Sequence, residues 1–311
     1  MKETVISYQS FQGGDEIRAK IYEPEGEACG IIQILHGLAE HIGRYGALVS
    51  YFTERGYIVC GNDHYGHGEA FREKTLGYLG EKDGWETVMQ DAVTLSEWLF
   101  ETYPTLPLVY FGHSMGSFVA RSIHLAGWIP LDGMILSGTG HQPRALVKAG
   151  RLVGKLLTRY HKGKCHESAL MTSLTIGGYG KAFKNEGKNA WISSIPEEVA
   201  AYENDALCGY PVKLGLYTDM LEGIDLITNK RVLKAHKDTD VIPILFLSGA
   251  DDPVGEMGKG VKRAFRQYAR LGFDDLSLIL YPGVRHEFLH DTAKDQALSD
   301  IEAWLSEHSI S

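Results

Sequence analysis

The sequence predicts an α/β protein: a mostly parallel sheet covered by helices on both faces, with a helical cap inserted late in the chain. Three observations carry this. Short apolar runs alternate with amphipathic segments; the runs are continuous rather than alternating, as strands buried on both faces require; and the rhythm stops near residue 140 and resumes near residue 241. The domain reading follows: residues 1–140 and 241–311 form the core, and residues 141–240 the cap. A length of 311 residues suits one large α/β domain with such an insertion.

The elements follow in order. Residues 5–9 and 16–22 alternate and flank Gly13-Gly14, which reads as an antiparallel hairpin. The run GIIQIL at 30–35 is a buried strand ending at His36-Gly37. A helix over 45–55, a strand over 57–60, a helix over 85–102 and a strand over 108–111 repeat the unit. After Ser114 a helix runs to about residue 126, followed by a strand over 134–136. Residues 140–240 offer helix-like and loop-rich sequence with no strong strand candidate. The core then resumes with a strand over 242–247, a helix over 256–271, a strand over 276–281 and a final helix over 292–308.

Composition narrows the class. Hydrophobic residues at 44% and charged residues at 23% are ordinary for a globular enzyme. A net charge of -9 supplies no overall positive field to collect phosphates, which argues against a nucleic-acid partner. Cys29, Cys60, Cys165 and Cys208 are scattered without C-x-x-C spacing and read as reduced thiols, neither a zinc site nor a disulfide framework. The segment MKETVISYQS has no apolar run long enough for a signal peptide or a membrane span, so a cytoplasmic location is expected.

The segment LVYFGHSMGSFVAR contains G-x-S-x-G at residues 112–116. With 36 glycines in the chain the pattern alone is weak. Its context is the argument: it follows a buried strand and opens a helix, the sharp turn that lifts a serine oxygen clear of the sheet. Ser114 is therefore the candidate nucleophile. A serine hydroxyl needs a base to take its proton, and the base needs an acid to hold its tautomer.

These partners are expected after later strands, in the order acid then histidine. After ILFLSG come Asp251 and Asp252, of which Asp252 is the chosen acid and Asp251 the reserve. After LSLILYP comes His286, the candidate base; His290 falls too late in the loop. Two backbone N–H groups should hold the negative oxygen of a tetrahedral intermediate. Met115, directly after the nucleophile, offers one, and Leu38, following His36-Gly37, the other. His36 with His41, and His64 with His67, could suggest a metal, but no acidic or cysteine cluster completes either pair, and no metal is expected. Gly154-Lys155 and Gly180-Lys181 lack the following Ser or Thr of a phosphate loop.

Together HGLAEHIGRY, NDHYGHGEA, GHSMG, SGADDPVG and YPGVRHE resemble the monoacylglycerol lipase and lysophospholipase branch of the α/β-hydrolase fold, with ENDALCGYPV a looser match. The resemblance implies hydrolysis of a carboxylic ester through an acyl-enzyme, with no metal or organic cofactor. Its substrate would be an acyl ester such as a monoacylglycerol or lysophospholipid. Similar sequences are also described as proline-type aminopeptidases, for which Glu197, Glu198 and Glu203 could supply carboxylates. A non-catalytic binding protein on the same scaffold is a third reading.

The cap carries one further signal. Arg144, Lys148, Arg151, Lys155 and Arg159 fall within about 80° on an ideal helix. Leu146, Ala149, Leu152, Val153, Leu156 and Leu157 take the opposite side. Such a helix packs its apolar face on the core, or lies on an anionic lipid surface.

Overall fold

The sheet is built outward from five strands in which every residue is buried. In the computed structural model, which describes residues 1–183, 185–229, 232–233 and 241–310, these are β3 (Gly30–Leu35), β4 (Tyr57–Asn62), β5 (Leu108–His113), β6 (Gly133–Ser137) and β7 (Ile244–Gly249). With β1 (Lys2–Gln9), β2 (Glu16–Glu23) and β8 (Leu276–Tyr281) they form one eight-stranded sheet in the order β1-β2-β4-β3-β5-β6-β7-β8. The pairs β1–β2 and β2–β4 are antiparallel, and every later neighbour is parallel. The hairpin and the parallel sheet expected from the sequence are both present.

Helices cover both faces because each parallel connection must cross over one of them. On one face α1 (Gly46–Thr53) and α9 (Lys294–Glu307) bury Leu48, Phe52, Leu298, Ile301 and Leu305. On the other, α2 (Gly84–Thr102), α3 (Met115–Ala126) and α8 (Lys259–Leu271) bury Val88, Leu95, Val119, Ile123, Val261 and Tyr268.

Boundaries shift where backbone chemistry intervenes. The helix expected from residue 256 begins at Lys259, because Glu256, Met257 and Gly258 all have left-handed φ (51°, 52° and 77°). The strand expected from residue 242 begins at Ile244, past Pro243, which has no N–H to give a ladder. The helix expected from residue 45 becomes a 3-10 turn, Ile42–Tyr45, followed by α1.

Between β6 and β7 the described residues hold α4 (Arg144–His161), α5 (Ala169–Leu174), a 3-10 turn (Ile176–Ala182), α6 (Pro196–Asn204) and α7 (Leu214–Thr228), and no strand. The expected start of the insertion, residue 141, falls just before α4. Its expected end, residue 240, lies outside the described residues. α7 packs on α2, α3 and α4, with Leu214, Leu216 and Tyr217 buried in the layer shared with α2 and α3.

The orientation of α4 follows from its glycines. A Cβ on Gly150 would come 3.0 Å from Leu221, and one on Gly154 2.5 Å from Thr218, so this small-residue seam lets α4 sit close on α7. Arg151 closes the seam at 2.6 Å from Asp225. Leu146, Leu152, Leu156 and Tyr160 consequently face solvent, each about three-fifths exposed or more. Among the described residues no helix is long and apolar enough to cross a membrane, and all four cysteines are free.

Candidate active site

β5 delivers the predicted nucleophile. The chain leaves the sheet at His113 and enters α3 at Met115, and Ser114 alone makes the turn, with φ 50° and ψ -116°. A non-glycine residue pays about 1–3 kcal/mol for such a backbone, a cost met where the surroundings enforce it. Here they do. Ser114 N–H donates to Ser137 O at 2.9 Å. A Cβ at Gly112 would come 2.7 Å from Gly116 O, and one at Gly116 would come 1.9 Å from Leu35 O. The two glycines of the motif are thus fixed by space.

The loops after β7 and β8 bring the predicted acid and base together. His286 Nδ1 lies 3.0 Å from Asp252 Oδ2, and both side chains are buried. Asp252 Oδ1 accepts from Val254 N–H at 2.8 Å, and Oδ2 also receives Ser248 Oγ at 3.3 Å. Asp251 is exposed. His290 is engaged elsewhere, with Nδ1 2.9 Å from Glu198 and Nε2 3.1 Å from Arg44 O. Burial alone would favour neutral His286. The charge and hydrogen bond of Asp252, with Glu287 and Glu40 beyond, outweigh it and hold the imidazole above its ordinary value. No hydrogen bond joins Ser114 Oγ to His286 among the described residues. The His113 ring, next to Ser114, lies 4.8 Å from that of His286. Such contacts commonly tighten only when substrate binds.

The loop after β3 lies directly over Ser114: a Cβ at Gly37 would sit 3.3 Å from Ser114 Cβ. The peptide joining His36 to Gly37 is gripped at both ends. His36 O accepts from His64 Nε2 at 3.1 Å, and Gly37 N–H donates to Glu40 Oε1 at 2.5 Å. Among the described residues the next N–H, that of Leu38, meets no protein acceptor, and neither does that of Met115. Both predicted oxyanion donors are therefore free to hold a ligand oxygen. Burial, reinforced by mutual repulsion, pushes His64 down to about 3 and His67, by burial, to about 4, so these rings stay neutral and act as loop supports.

A profile of the family described as "serine aminopeptidase, S33" matches residues 26–293. The chain belongs to this α/β-hydrolase family. The hydrolase is 26% identical to a monoacylglycerol lipase of Mycolicibacterium smegmatis over 99% of this chain and 100% of that protein. It is 24% identical to a monoglyceride lipase of Rattus norvegicus, over 94% of this chain and 88% of that protein. Among solved structures, a thermostable carboxyl esterase from Bacillus coagulans, in complex with glycerol, matches with a TM-score of 0.91 and 31% identity, over 99% of each chain.

Several groups around the hydrolase site escaped the sequence reading. Arg44 makes a paired contact with Glu287 (2.8 and 2.7 Å) and reaches Glu40 at 3.2 Å, tying the loop after β3 to the loop after β8 through one largely buried cation. Burial would raise Glu287, but Arg44 prevails and holds it at about 2. The only sequence signal was the spacing of Glu40 and Arg44, four residues apart in HGLAEHIGRY. His41 meets Asp205 at 2.9 Å, and Cys208 completes a trio whose ligand atoms lie within 4.8 Å of one another. That trio is a poor metal site as it stands. His41 Nδ1 accepts from Gly43 N–H at 3.2 Å, which leaves the ring proton on Nε2, facing Asp205. Finally, Trp191 of the insertion lies against His286, with ring centroids 5.1 Å apart.

Proposed function

We propose that the chain is a serine carboxylic-ester hydrolase acting through an acyl-enzyme on acyl esters such as monoacylglycerols or lysophospholipids. Ser114 attacks the ester carbonyl while His286 takes its proton, and Asp252 holds the imidazole and offsets its charge. The N–H groups of Leu38 and Met115 receive the oxyanion. His286 returns the proton to the departing alcohol, and a water activated by the same base releases the acid. The observation that carries this reading is the His286–Asp252 bond, formed beside a left-handed Ser114 at a strand–helix turn. The names of the relatives favour glycerol esters, and the esterase from Bacillus coagulans was solved with glycerol.

The family description keeps a peptidase in view. The cap carboxylates give it little support: Glu198 is bonded to His290, and Glu203 to Asn189 at 2.9 Å. The test is a panel of p-nitrophenyl esters, monoacylglycerols and aminoacyl anilides with the purified protein. Ester turnover without anilide turnover is expected. Anilide cleavage without ester cleavage would overturn the assignment.

Residues 141–240 serve, on this reading, as a cap whose outer helix meets a lipid surface. Support comes from the exposed Leu146, Leu152, Leu156 and Tyr160 on α4, flanked by exposed Lys148, Lys155 and Arg159. Arg151, in contrast, is committed to Asp225 and Glu222. Replacing Lys148 and Lys155 together by Glu should weaken partition to anionic vesicles at least about tenfold, since each basic residue near such a surface contributes about 1 kcal/mol. Turnover of a short soluble ester should not change. Unaltered vesicle binding, or none by the parent, would remove the lipid role.

A further inference from the structure

The base loop is held by the insertion as much as by the sheet. Residues 190–194 run alongside it. His286 N–H donates to Trp191 O at 3.3 Å, and Glu287 N–H to Ile192 O at 2.9 Å. Arg285 Nη1 reaches Ala190 O at 2.6 Å, and Ser194 N–H donates to Asp291 Oδ2 at 2.9 Å. This strap carries the Trp191 indole to His286. The two rings are tilted by 40°, closer to stacked than to edge-on, with centroids 5.1 Å apart. The indole also rests against Tyr179, with ring centroids 5.2 Å apart.

We propose that Trp191 is a positioning residue for His286: its indole holds the imidazole in place and stabilises the positive charge that ring acquires when Ser114 gives up its proton. The inference deepens the ester-hydrolase reading and rests on it. A cation within about 6 Å of an indole centroid is attracted by the ring's quadrupole, and the attraction grows when water is excluded. His286 is 3% exposed, so water does little to solvate an imidazolium there. Asp252 serves the Nδ1 edge, which leaves the ring's flat surfaces to its aromatic neighbours, the electron-rich indole of Trp191 and the neutral ring of His113 at 4.8 Å. The charged and titratable groups around His286 are divided. Asp252, Glu287 and Glu40 favour the cation, while the neighbouring His113 ring, 4.8 Å away, is itself held neutral by burial and by repulsion from His286, Arg44 and His290. An aromatic face adds stabilisation without another carboxylate, which would capture the proton permanently. Because Trp191 belongs to the insertion, the strength of the base depends on a segment outside the sheet.

Fluorination of the indole tests this without changing its shape. Tryptophan at position 191 is replaced site-specifically by its mono-, di- and tetrafluoro analogues in the full chain, and kcat/KM for p-nitrophenyl butyrate is followed against pH. Each fluorine drains the ring face, the imidazolium loses a partner, and its proton leaves more easily. The acid limb of the profile should therefore move stepwise to lower pH, by about half a unit to one unit across the series. The same series at Trp98 should leave the limb in place. Trp191→Phe should keep most of kcat, and Trp191→Leu should lose about tenfold with KM little changed. A parent that cleaves no ester, or a Ser114→Ala protein as active as the parent, overturns the site reading and this inference with it. An active, Ser114-dependent parent whose acid limb stays put across the fluorinated series overturns this inference alone.

Discussion

Ser114→Ala is expected to lower kcat for p-nitrophenyl butyrate by about a million-fold while leaving KM and Tm nearly unchanged. The fold should tolerate it. Alanine meets the same left-handed φ of 50° that serine already bears. The bonds that hold the turn, Ser114 N–H to Ser137 O and Ser117 Oγ to Ser114 O, are made by backbone atoms of residue 114. What disappears is the attacking oxygen. Residual turnover should remain above the spontaneous rate, because Leu38 and Met115 can still polarise the carbonyl. His286→Ala should cost about as much, and the double variant little more, since neither residue works without the other. Measured losses that multiply, or a Ser114→Ala enzyme within tenfold of the parent, would mean that another nucleophile is at work.

How much of this was legible beforehand depends on the distance over which each feature is written. The parallel strands were readable because burial on both faces leaves a continuous apolar run, as in GIIQIL and ILFLSG. The turn at Ser114 was readable because its glycines are forced by contacts a few residues away, and by Leu35 on the neighbouring strand. The start of α8 was not, since helical periodicity extends over Glu256 and Met257 while their backbone is left-handed. For α4 the two faces were clear, but amphipathicity does not say which side packs. Gly150 and Gly154 decided that by admitting α7 closely. The supports of the candidate site were the least legible part. Arg44 and Glu287 are 243 residues apart, and Trp191 reaches His286 only because the insertion folds back along the base loop. No local pattern records such a meeting.

The two adjacent aspartates give the second large expectation. Asp252→Asn should reduce kcat about 10,000-fold, whereas Asp251→Asn should stay within about twofold of the parent. The amide oxygen of asparagine can still accept from Val254 N–H, as Asp252 Oδ1 does at 2.8 Å, so the loop should hold. The NH2 group then faces His286 Nδ1 and favours the tautomer with its proton on Nε2, which cannot take a proton from Ser114. The pH profile gives an independent check. In the parent the charge and hydrogen bond of Asp252 outweigh burial and hold His286 above the ordinary imidazole value of about 6.5. Since only the neutral ring can act as base, kcat/KM should rise as pH climbs through that raised value. Without the carboxylate, burial prevails and the acid limb should move to lower pH even as the plateau collapses. Asp251 is exposed and touches neither ring nitrogen, so neither change should accompany its substitution. A downward shift confined to Asp252→Asn would separate the acid that serves His286 from a neighbour that merely shares its charge. The reverse pattern would transfer the role to Asp251.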